Sequence, residues 1–284
     1  MTLQPLYMWA GGKTRLLKHY RSVFPSLENY RTYVEPFFGG GAVYGSIVDT
    51  FNGVSFINDS NTELVGVLEA VKTNPDRLVE ESCALIDRVL TYRTKLDRKA
   101  AYYQELHAYW DEPTAGKLYG LMKLGFNGIW QTNRKSNGLF ATPAGLLNRD
   151  SSADLVKAGL VKAWSAVLQN TQLSAGDYRD VVFPTKGALV YLDPPYRGSF
   201  TTYSTGFGDD DQREVVEFMK ECVSQGATVL LANRHVDDDM FFESLLPDAE
   251  FHYFDVTYTA GRRKKVGDGF EAKPAREFLA VLKP

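Results

Sequence analysis

The segment YVEPFFGGGAVYGSI, residues 33–47, combines an apolar strand, a glycine turn and the beginning of a helix. Its three consecutive glycines permit a sharp turn and a close approach of the backbone to a ligand. The free N–H groups at the start of the following helix favour a polar or anionic group. The segment therefore predicts a ligand-binding strand, turn and helix, and a tight turn without any ligand is the alternative.

An acidic residue follows this glycine turn at about the spacing used in dinucleotide-binding folds. Asp59 ends the next predicted strand, 20 residues after Gly39, where a carboxylate can accept hydrogen bonds from ribose hydroxyls. Tyr44 stands where the GxGxxG fingerprint needs its third glycine, so a nucleoside-type cofactor is expected and NAD is not favoured. The hypothesis that GGKT, residues 11–14, belongs to an ATPase P-loop is disfavoured, because Tyr7 stands where a P-loop has its first glycine.

Short β-rich runs alternate with helical patterns elsewhere in the chain, which is typical of an α/β sheet with helices on its faces. The predicted strands are 32–35, 54–58, 189–193, 228–232, 251–257 and 277–282. The predicted helices that interrupt this alternation are 62–71, 75–90, 99–110 and 115–124. We therefore predict a parallel-sheet domain over residues 1–61 and 151–284 that carries a helical insertion over residues 62–150, whose last part is a polar loop.

The tetrad DPPY, residues 193–196, directly follows the apolar strand ALVYL. At the carboxyl end of a parallel strand it faces the crevice where such sheets bind ligands. An adenine amino nitrogen is a poor nucleophile, but the Asp193 carboxylate and the Pro194 carbonyl can accept its N–H groups and direct its lone pair at an electrophile. Pro195 stiffens the backbone, and Tyr196 offers a face on which a base can stack. The alternative is a strand that ends in a plain Pro-Pro turn.

The motifs together resemble the Dam-type DNA adenine-N6 methyltransferases of the alpha group, the D12 class. The matching segments, in that family's order, are WAGGK (9–13), VEPFFGGGAV (34–43), NDSNTELV (58–65), GFNG (125–128), GLFATPAG (138–145), YLDPPY (191–196) and RRKKV (262–266). The resemblance implies a Rossmann-like S-adenosylmethionine-dependent methyltransferase sheet with an inserted helical target-recognition domain. It also implies a site-specific DNA methyltransferase that modifies N6 of a flipped-out adenine.

Under this resemblance the cofactor is S-adenosylmethionine, and no metal is required. Aromatic faces and carboxylates attract its sulfonium cation. The implied cofactor contacts are Trp9, Ala10, Gly11, Lys13, Glu35, Phe37, Phe38, Gly39, Gly40, Gly41, Asp59, Asp177, Tyr178 and Asp193. The implied catalytic residues, which act by orientation and electrostatics more than by proton abstraction, are Asp193, Pro194, Pro195 and Tyr196.

The same resemblance makes double-stranded DNA the partner. The expected DNA contacts are Asn127, Trp130, Gln131, Asn133, Arg134, Lys135 and Asn137 in the insertion, with Arg149 beyond them, and Arg262, Arg263 and Lys264 in a late basic turn. The apolar side chains able to wedge into a base stack are Phe126, Ile129 and Trp130. Gln131 stands where the family has a base-reading arginine; glutamine favours adenine, so GATC recognition is not assumed.

The 284-residue chain has the composition of an ordinary globular protein and a formal net charge of −3, which by itself argues against a nucleic-acid binder. The charge is unevenly distributed. Residues 205–250 carry 12 acidic and three basic side chains, a local charge of −9, whereas residues 256–284 carry +4. Because the local field attracts phosphates, we expect an acidic face turned away from DNA and salt-sensitive binding at the basic one.

The sequence also gives expectations about the cell compartment, the oligomeric state and the alternative functions of the protein. No apolar run is long enough for a membrane span, so we expect a cytoplasmic protein of a bacterial or phage-infected cell, acting as a monomer or a weak dimer on DNA. Two alternatives stay open: a DNA-binding relative that no longer catalyses, and a methyltransferase for RNA or a protein glutamine, whose site more often reads NPPY. Restriction protection, phage defence and regulation are not distinguished.

Overall fold

The chain forms an α/β fold, as predicted, around a seven-stranded sheet. The computed structural model describes residues 2–198, 206–236, 239–258, 265–266, 269–270 and 273–284. In these residues the strands are β1 Thr32–Glu35, β2 Val54–Asp59, β3 Thr171–Ala175, β4 Ala188–Leu192, β5 Thr228–His235, β6 Glu250–Tyr258, β7 Lys265–Val266, β8 Gly269–Phe270 and β9 Lys273–Leu282. The sheet has the order β3-β2-β1-β4-β5-β9-β6, and β7 pairs with β8 separately.

The helices occupy the predicted segments and several others. They are α1 Leu17–Tyr20, α2 Ala42–Ile47, α3 Thr62–Thr73, α4 Pro75–Leu90, α5 Lys95–Asp111, α6 Ala115–Leu124, α7 Ser152–Val156, α8 Ala158–Leu168, α9 Asp209–Ser224 and α10 Phe241–Leu245. The predicted bounds of α4 and α6 are confirmed residue for residue. Helix α5 begins four residues earlier than predicted because the Thr94 side chain caps it, accepting a hydrogen bond from the Asp97 N–H. No helix in the described residues has the length and apolar character needed to cross a membrane.

All six predicted strands are present, but the sheet is not parallel throughout. Strand β4 pairs in parallel with β1 and β5, whereas β9 is antiparallel to both β5 and β6. The prediction of a parallel sheet was therefore wrong at this edge, where β6 and β9 pair directly in antiparallel orientation. Strand β3 was not predicted, because TQLSA is an edge strand with mostly exposed side chains and lacks an apolar pattern.

The chain divides into two compact units, which are described separately. The first comprises Met1–Arg15, Phe38–Thr50 and Ile57–Tyr178, and the second comprises Leu16–Phe37, Phe51–Phe56 and Arg179–Pro284. The predicted insertion, residues 62–150, lies inside the first unit, and its boundaries stay a prediction. In that unit α4 packs against α6, where the Ser82 hydroxyl donates to the Gly116 carbonyl at 2.9 Å.

The second unit is built on buried strands. All five residues of β4 are buried, as expected for a central strand covered on both faces. Val34 of β1 lies opposite Val190 of β4, and Leu192 lies opposite Leu231 of β5. Because these three strands are parallel, their carboxyl ends lie at the same edge of the sheet. The DPPY tetrad begins at that edge.

Candidate active site

The glycine turn at residues 38–41 leads directly into α2 in the first unit. Gly39 and Gly41 adopt positive φ angles of 50° and 66°, a conformation that favours glycine. The Gly41 N–H closes the turn on the Phe38 carbonyl at 3.0 Å, and the Phe38 N–H donates to the Asn58 carbonyl at 3.0 Å. The backbone of the turn is therefore fixed from within and from the end of β2.

Asp59 fastens this turn to the beginning of α3. One carboxylate oxygen accepts the Gly39 N–H at 2.8 Å, and the other accepts the Asn61 N–H at 2.9 Å. Burial raises the pKa of Asp59 above its ordinary value, although both N–H donors act to lower it. The spacing from Gly39 thus located a real partner, but in the structure Asp59 bonds to the backbone of the turn. Its contact with a ribose stays a prediction.

The space above the glycines is filled by the indole of Trp9. A β-carbon at Gly39 would lie 2.8 Å from Trp9 Nε1, and one at Gly40 would lie 2.8 Å from Trp9 Cβ. The Tyr7 hydroxyl also donates to the Gly39 carbonyl at 3.0 Å. The close approach that the sequence suggested for a ligand is therefore made, in this structure, by a side chain of the protein itself.

We expect Gly39→Ala to lower the free energy of unfolding by about 2–4 kcal/mol. Alanine at positive φ costs about 1–2 kcal/mol, and forcing a methyl group against a packed ring costs about 1–3 kcal/mol. Urea denaturation followed by far-UV circular dichroism measures the loss. Gly138→Ala is the matched control, because Gly138 has a φ of 86° but no described atom within 4 Å of its β-carbon position. Equal losses in the two variants would contradict the packing role of Trp9.

Other predicted cofactor residues gather around the turn in the first unit. The Asn58 side-chain N–H donates to the Gly176 carbonyl at 3.0 Å, and the Gly176 N–H donates to the Asp59 carbonyl at 3.1 Å. These bonds bring the backbone that precedes Asp177 to the end of β2. The next residue, Tyr178, is buried. The WAGGK segment is fixed as well, because Lys13 is 6% exposed and donates from Nζ to the Gly11 carbonyl at 2.9 Å.

In the second unit the tetrad follows β4 at the carboxyl edge of the sheet. Asp193 is half-buried, and the Tyr196 hydroxyl donates to the Glu277 carboxylate of β9 at 2.8 Å. Glu35 ends β1 at the same edge and accepts a hydrogen bond from the Tyr33 hydroxyl at 2.7 Å. Pro194 is buried, Pro195 is half-buried, and so is Phe37, which follows β1. The predicted catalytic residues are thus adjacent to one predicted cofactor carboxylate, Glu35.

Two buried tyrosines to which the sequence analysis gave no role, Tyr20 and Tyr191, lie close to the tetrad. The rings of Tyr20 and Tyr191 lie 6.2 Å apart. Burial raises the pKa of the Tyr20 hydroxyl well above its ordinary value, and the charges of Asp193 and Glu277 raise it further. Burial and the charge of Asp193 do the same to the pKa of Tyr191. Both hydroxyls therefore stay neutral, and both lie close enough to the Asp193 carboxylate to be affected by its charge.

The loop after α6 is more ordered than its polar, glycine-rich sequence predicts. Isolated antiparallel bridges join Gly125 to Ala144 and Thr132 to Phe140. The Phe140 N–H donates to Glu63 at 3.2 Å, and its carbonyl accepts the Trp110 indole N–H at 2.8 Å. Burial raises the pKa of the Glu63 carboxyl, while hydrogen bonds from Tyr109 and from the Phe140 backbone lower it. The loop is thereby anchored on α3 and α5.

Comparison with known proteins gives these features a family. Residues 9–260 match the model of the D12 class N6 adenine-specific DNA methyltransferases. The chain belongs to this family. A type II methyltransferase of Lactococcus lactis subsp. cremoris, M1.LlaDCHI, is 29% identical over 281 residues, covering 93% of this chain and 91% of the relative. A type II methyltransferase of Methanocaldococcus jannaschii, M.MjaIII, is 31% identical over 263 residues, covering 86% and 88%.

A third relative, the retron Ec67 DNA adenine methylase of Escherichia coli, is 26% identical over 288 residues, covering 98% of this chain and 91% of the relative. Site-specific methylation of adenine in DNA is the activity that the family and these relatives support. The resemblance inferred from the motifs is confirmed. Membership in a DNA-specific family disfavours the alternative of an RNA or protein-glutamine methyltransferase.

The loop after α6 of this D12 methyltransferase exposes only part of the predicted DNA-binding set. The exposed members are Asn127, Asn133, Arg134, Lys135 and Asn137, with Phe126 and Arg149 exposed nearby; Gln131 and Ile129 are half-buried. Trp130 is 7% exposed, because its ring packs between those of Trp9 and Phe140. The Asn133 side chain accepts the N–H groups of Lys135 and Ser136 and so caps a short helical turn. Arg262, Arg263 and Lys264 lie outside the described residues.

Proposed function

We propose that this D12 methyltransferase transfers the methyl group of S-adenosylmethionine to N6 of an adenine that has been flipped out of double-stranded DNA. The observation that carries the proposal is the position of the tetrad at the carboxyl end of a buried parallel strand. There Asp193 is half-buried beside neutral tyrosine hydroxyls, and Tyr196 is tied to Glu277. This is the place where open α/β sheets bind their ligands.

The residues of the first unit fit the chemistry of S-adenosylmethionine. When bound, this cofactor supplies an electrophilic methyl group on a sulfonium cation. Asp59 ends β2, Asp177 follows Gly176, whose N–H donates to the Asp59 carbonyl, and carboxylates can accept hydrogen bonds from hydroxyl or ammonium groups. The buried ammonium group of Lys13 suits a carboxylate partner, and the indole of Trp9 suits a cation. We assign the predicted cofactor contacts of this unit to this role; those of the second unit, Glu35, Phe37 and Asp193, stay predictions from the sequence.

The second unit supplies the groups that act on adenine. The Asp193 carboxylate and the Pro194 carbonyl accept the two N6 hydrogens, which holds the amino group so that its lone pair is drawn out of conjugation with the ring and localised on nitrogen. Tyr196 provides the stacking face, and stacking on an aromatic side chain is worth about 1–3 kcal/mol per base. That energy offsets part of the few kcal/mol that extruding a base costs. Rate enhancement comes from orientation and electrostatics.

The polar and charged residues of the loop divide into two kinds of DNA contact. Arg134, Lys135 and Arg149 carry charges suited to phosphates, which position the protein on the duplex. The side-chain amides of Asn127, Gln131 and Asn137 are suited to base edges. Among the apolar candidates, Phe126 is 42% exposed whereas Trp130 is buried, so Phe126 is the better wedge. Contacts from residues 262–264 and the monomer or weak dimer on DNA stay predictions.

One experiment tests the proposed reaction directly. Unmethylated DNA is incubated with the enzyme and S-adenosylmethionine, digested to nucleosides and analysed for N6-methyladenine, and the modified sites are then mapped by sequencing. The expected product is N6-methyladenine at one short sequence, with none formed when the cofactor is omitted. Formation of 5-methylcytosine or N4-methylcytosine alone would refute the base assignment. Absence of any modified base would favour the catalytically silent alternative.

A further inference from the structure

Two buried side-chain amides hold the backbone on either side of Tyr196. Gln212, in the first turn of α9, donates from Nε2 to the Pro195 carbonyl at 2.7 Å. Asn233 of β5 accepts the Arg197 N–H on its Oδ1 at 3.1 Å. The two amides are joined, because Asn233 Nδ2 donates to Gln212 Oε1 at 3.0 Å. Both side chains are 0% exposed.

The hydrogen-bonded chain Pro195–Gln212–Asn233–Arg197 is called the amide relay. The direction of each of its hydrogen bonds is fixed by the backbone groups at its two ends. Asn233 Oδ1 faces two backbone N–H groups, those of Arg197 and Arg234, and can only accept from them. Gln212 Nε2 faces the backbone carbonyl of Pro195 and can only donate to it. Reversing either amide would set two donors or two acceptors against each other. The relay therefore has one favourable arrangement, and a buried amide in that arrangement is costly to disturb.

The groups held by the relay belong to the two peptide units that flank Tyr196. The Pro195 carbonyl precedes this residue, and the Arg197 N–H follows it. The Tyr196 hydroxyl is held separately by Glu277 at 2.8 Å. The Arg197 guanidinium also pairs at 2.7 Å with Asp209, which lies three residues before Gln212 in α9. The backbone on both sides of Tyr196 and its hydroxyl are therefore each held by hydrogen bonds.

Both amides occupy places where the sequence pattern calls for apolar residues. The buried residues of α9 are Gln212, Val215, Val216, Met219 and Cys222, the spacing of a core-facing stripe. Asn233 continues the buried run of β5. A polar side chain at such a position needs hydrogen-bond partners, and the partners used here include the backbone groups on either side of Tyr196.

We propose that Gln212 and Asn233 are positioning residues for methyl transfer, which hold the Tyr196 ring where the flipped adenine stacks. This inference rests on the proposed function, because it requires the tetrad to receive the adenine. The amides touch neither the base nor the cofactor. They act through the backbone of the tetrad, so their loss affects the rate of transfer more than the binding of S-adenosylmethionine or of DNA.

The test compares Gln212→Met with Gln225→Met, the same change at an exposed position at the other end of α9. Measurements are kcat on unmethylated plasmid DNA, KM for DNA, the dissociation constant for S-adenosylmethionine, and the melting temperature. We expect kcat to fall about 100-fold in Gln212→Met, the loss that a displacement of about 1 Å can produce. The binding constants should stay close to those of the wild type, and Gln225→Met should resemble the wild type throughout.

The pH dependence of kcat in Gln212→Glu provides a second measurement, which would not change if Gln212 had only a packing role. A protonated carboxyl can both accept from Asn233 and donate to the Pro195 carbonyl, whereas a carboxylate repels that carbonyl. The kcat of Gln212→Glu divided by that of the wild type at the same pH should therefore rise as the pH is lowered. Charged neighbours such as Asp209, Arg213 and Arg234 are common to both enzymes and largely cancel in this ratio.

The outcomes separate the inference from the function on which it rests. Folded Gln212→Met with wild-type kcat would overturn the inference. A ratio for Gln212→Glu that does not change with pH, or parallel losses of binding, stability and rate, would also overturn it in favour of a purely structural role. Wild-type enzyme that forms no N6-methyladenine would instead overturn the proposed function.

Discussion

Asp193→Ala is expected to abolish methyl transfer to DNA while leaving DNA binding nearly unchanged. The carboxylate stands at the carboxyl end of β4, directly after five buried residues, and it is the charged group of the tetrad. Removing one preorganised electrostatic group from an active site typically lowers kcat by about 100- to 1000-fold. The loss here should reach at least that range, because the remaining acceptor, the Pro194 carbonyl, can hold only one N6 hydrogen at a time.

Transfer is measured with radiolabelled S-adenosylmethionine under single-turnover conditions, and DNA binding by fluorescence anisotropy. Asp180→Ala is the control, since it removes an exposed carboxylate from the same unit. Asp193→Asn should retain part of the activity, because its amide oxygen still accepts an N–H while its amide nitrogen cannot. Unchanged methylation in Asp193→Ala would refute the mechanism, and an equal loss of DNA binding would assign Asp193 to the interface instead.

The second large effect is expected at Tyr196, where two substitutions should separate stacking from hydrogen bonding. Tyr196→Ala removes the ring and with it a stacking energy of about 1–3 kcal/mol, which corresponds to a loss of about 5- to 150-fold in kcat/KM for DNA. Tyr196→Phe keeps the ring but removes the hydroxyl that donates to Glu277. Glu277 is buried, so the loss of this donor should lower the free energy of unfolding by about 1–3 kcal/mol.

Steady-state methylation and urea denaturation of both variants provide the comparison. We expect Tyr196→Phe to lose more stability than rate, and Tyr196→Ala to lose far more activity than Tyr196→Phe. If the two variants lose activity equally, the hydroxyl and not the aromatic face is what the reaction requires. That result would contradict the stacking role.

Sequence alone predicts the elements that carry strong local signals. Helix α4 begins with Pro75 after a capping Asn74, and β4 is a continuous apolar run, so both were predictable. Strand β3 was missed because an exposed edge strand needs no apolar pattern. The antiparallel pairing of β9 was missed because it depends on strand order, which no local pattern encodes.

The site shows the same division between local and distant information. Motif spacing singled out Asp59 as a ribose contact, which stays a prediction, and the structure adds a hydrogen bond to Gly39 that the sequence did not predict. Sequence placed Trp9 against the cofactor and Trp130 against DNA, yet the two rings lie 6.0 Å apart and Trp130 is buried. That contact joins segments 121 residues apart in the chain, so motif spacing could not reveal it.

The division of the chain into two units has an optical consequence. The protein has four tryptophans, Trp9, Trp110, Trp130 and Trp164, and all of them belong to the first unit. Its intrinsic tryptophan emission therefore reports on side chains of the first unit. The tetrad and the amide relay lie in the second unit, which contains no tryptophan. A transition followed by this emission describes the first unit, which holds α2 to α8, the glycine turn and the loop after α6. Comparing it with a signal from the whole backbone shows whether the two halves of the enzyme melt as one cooperative body or in sequence.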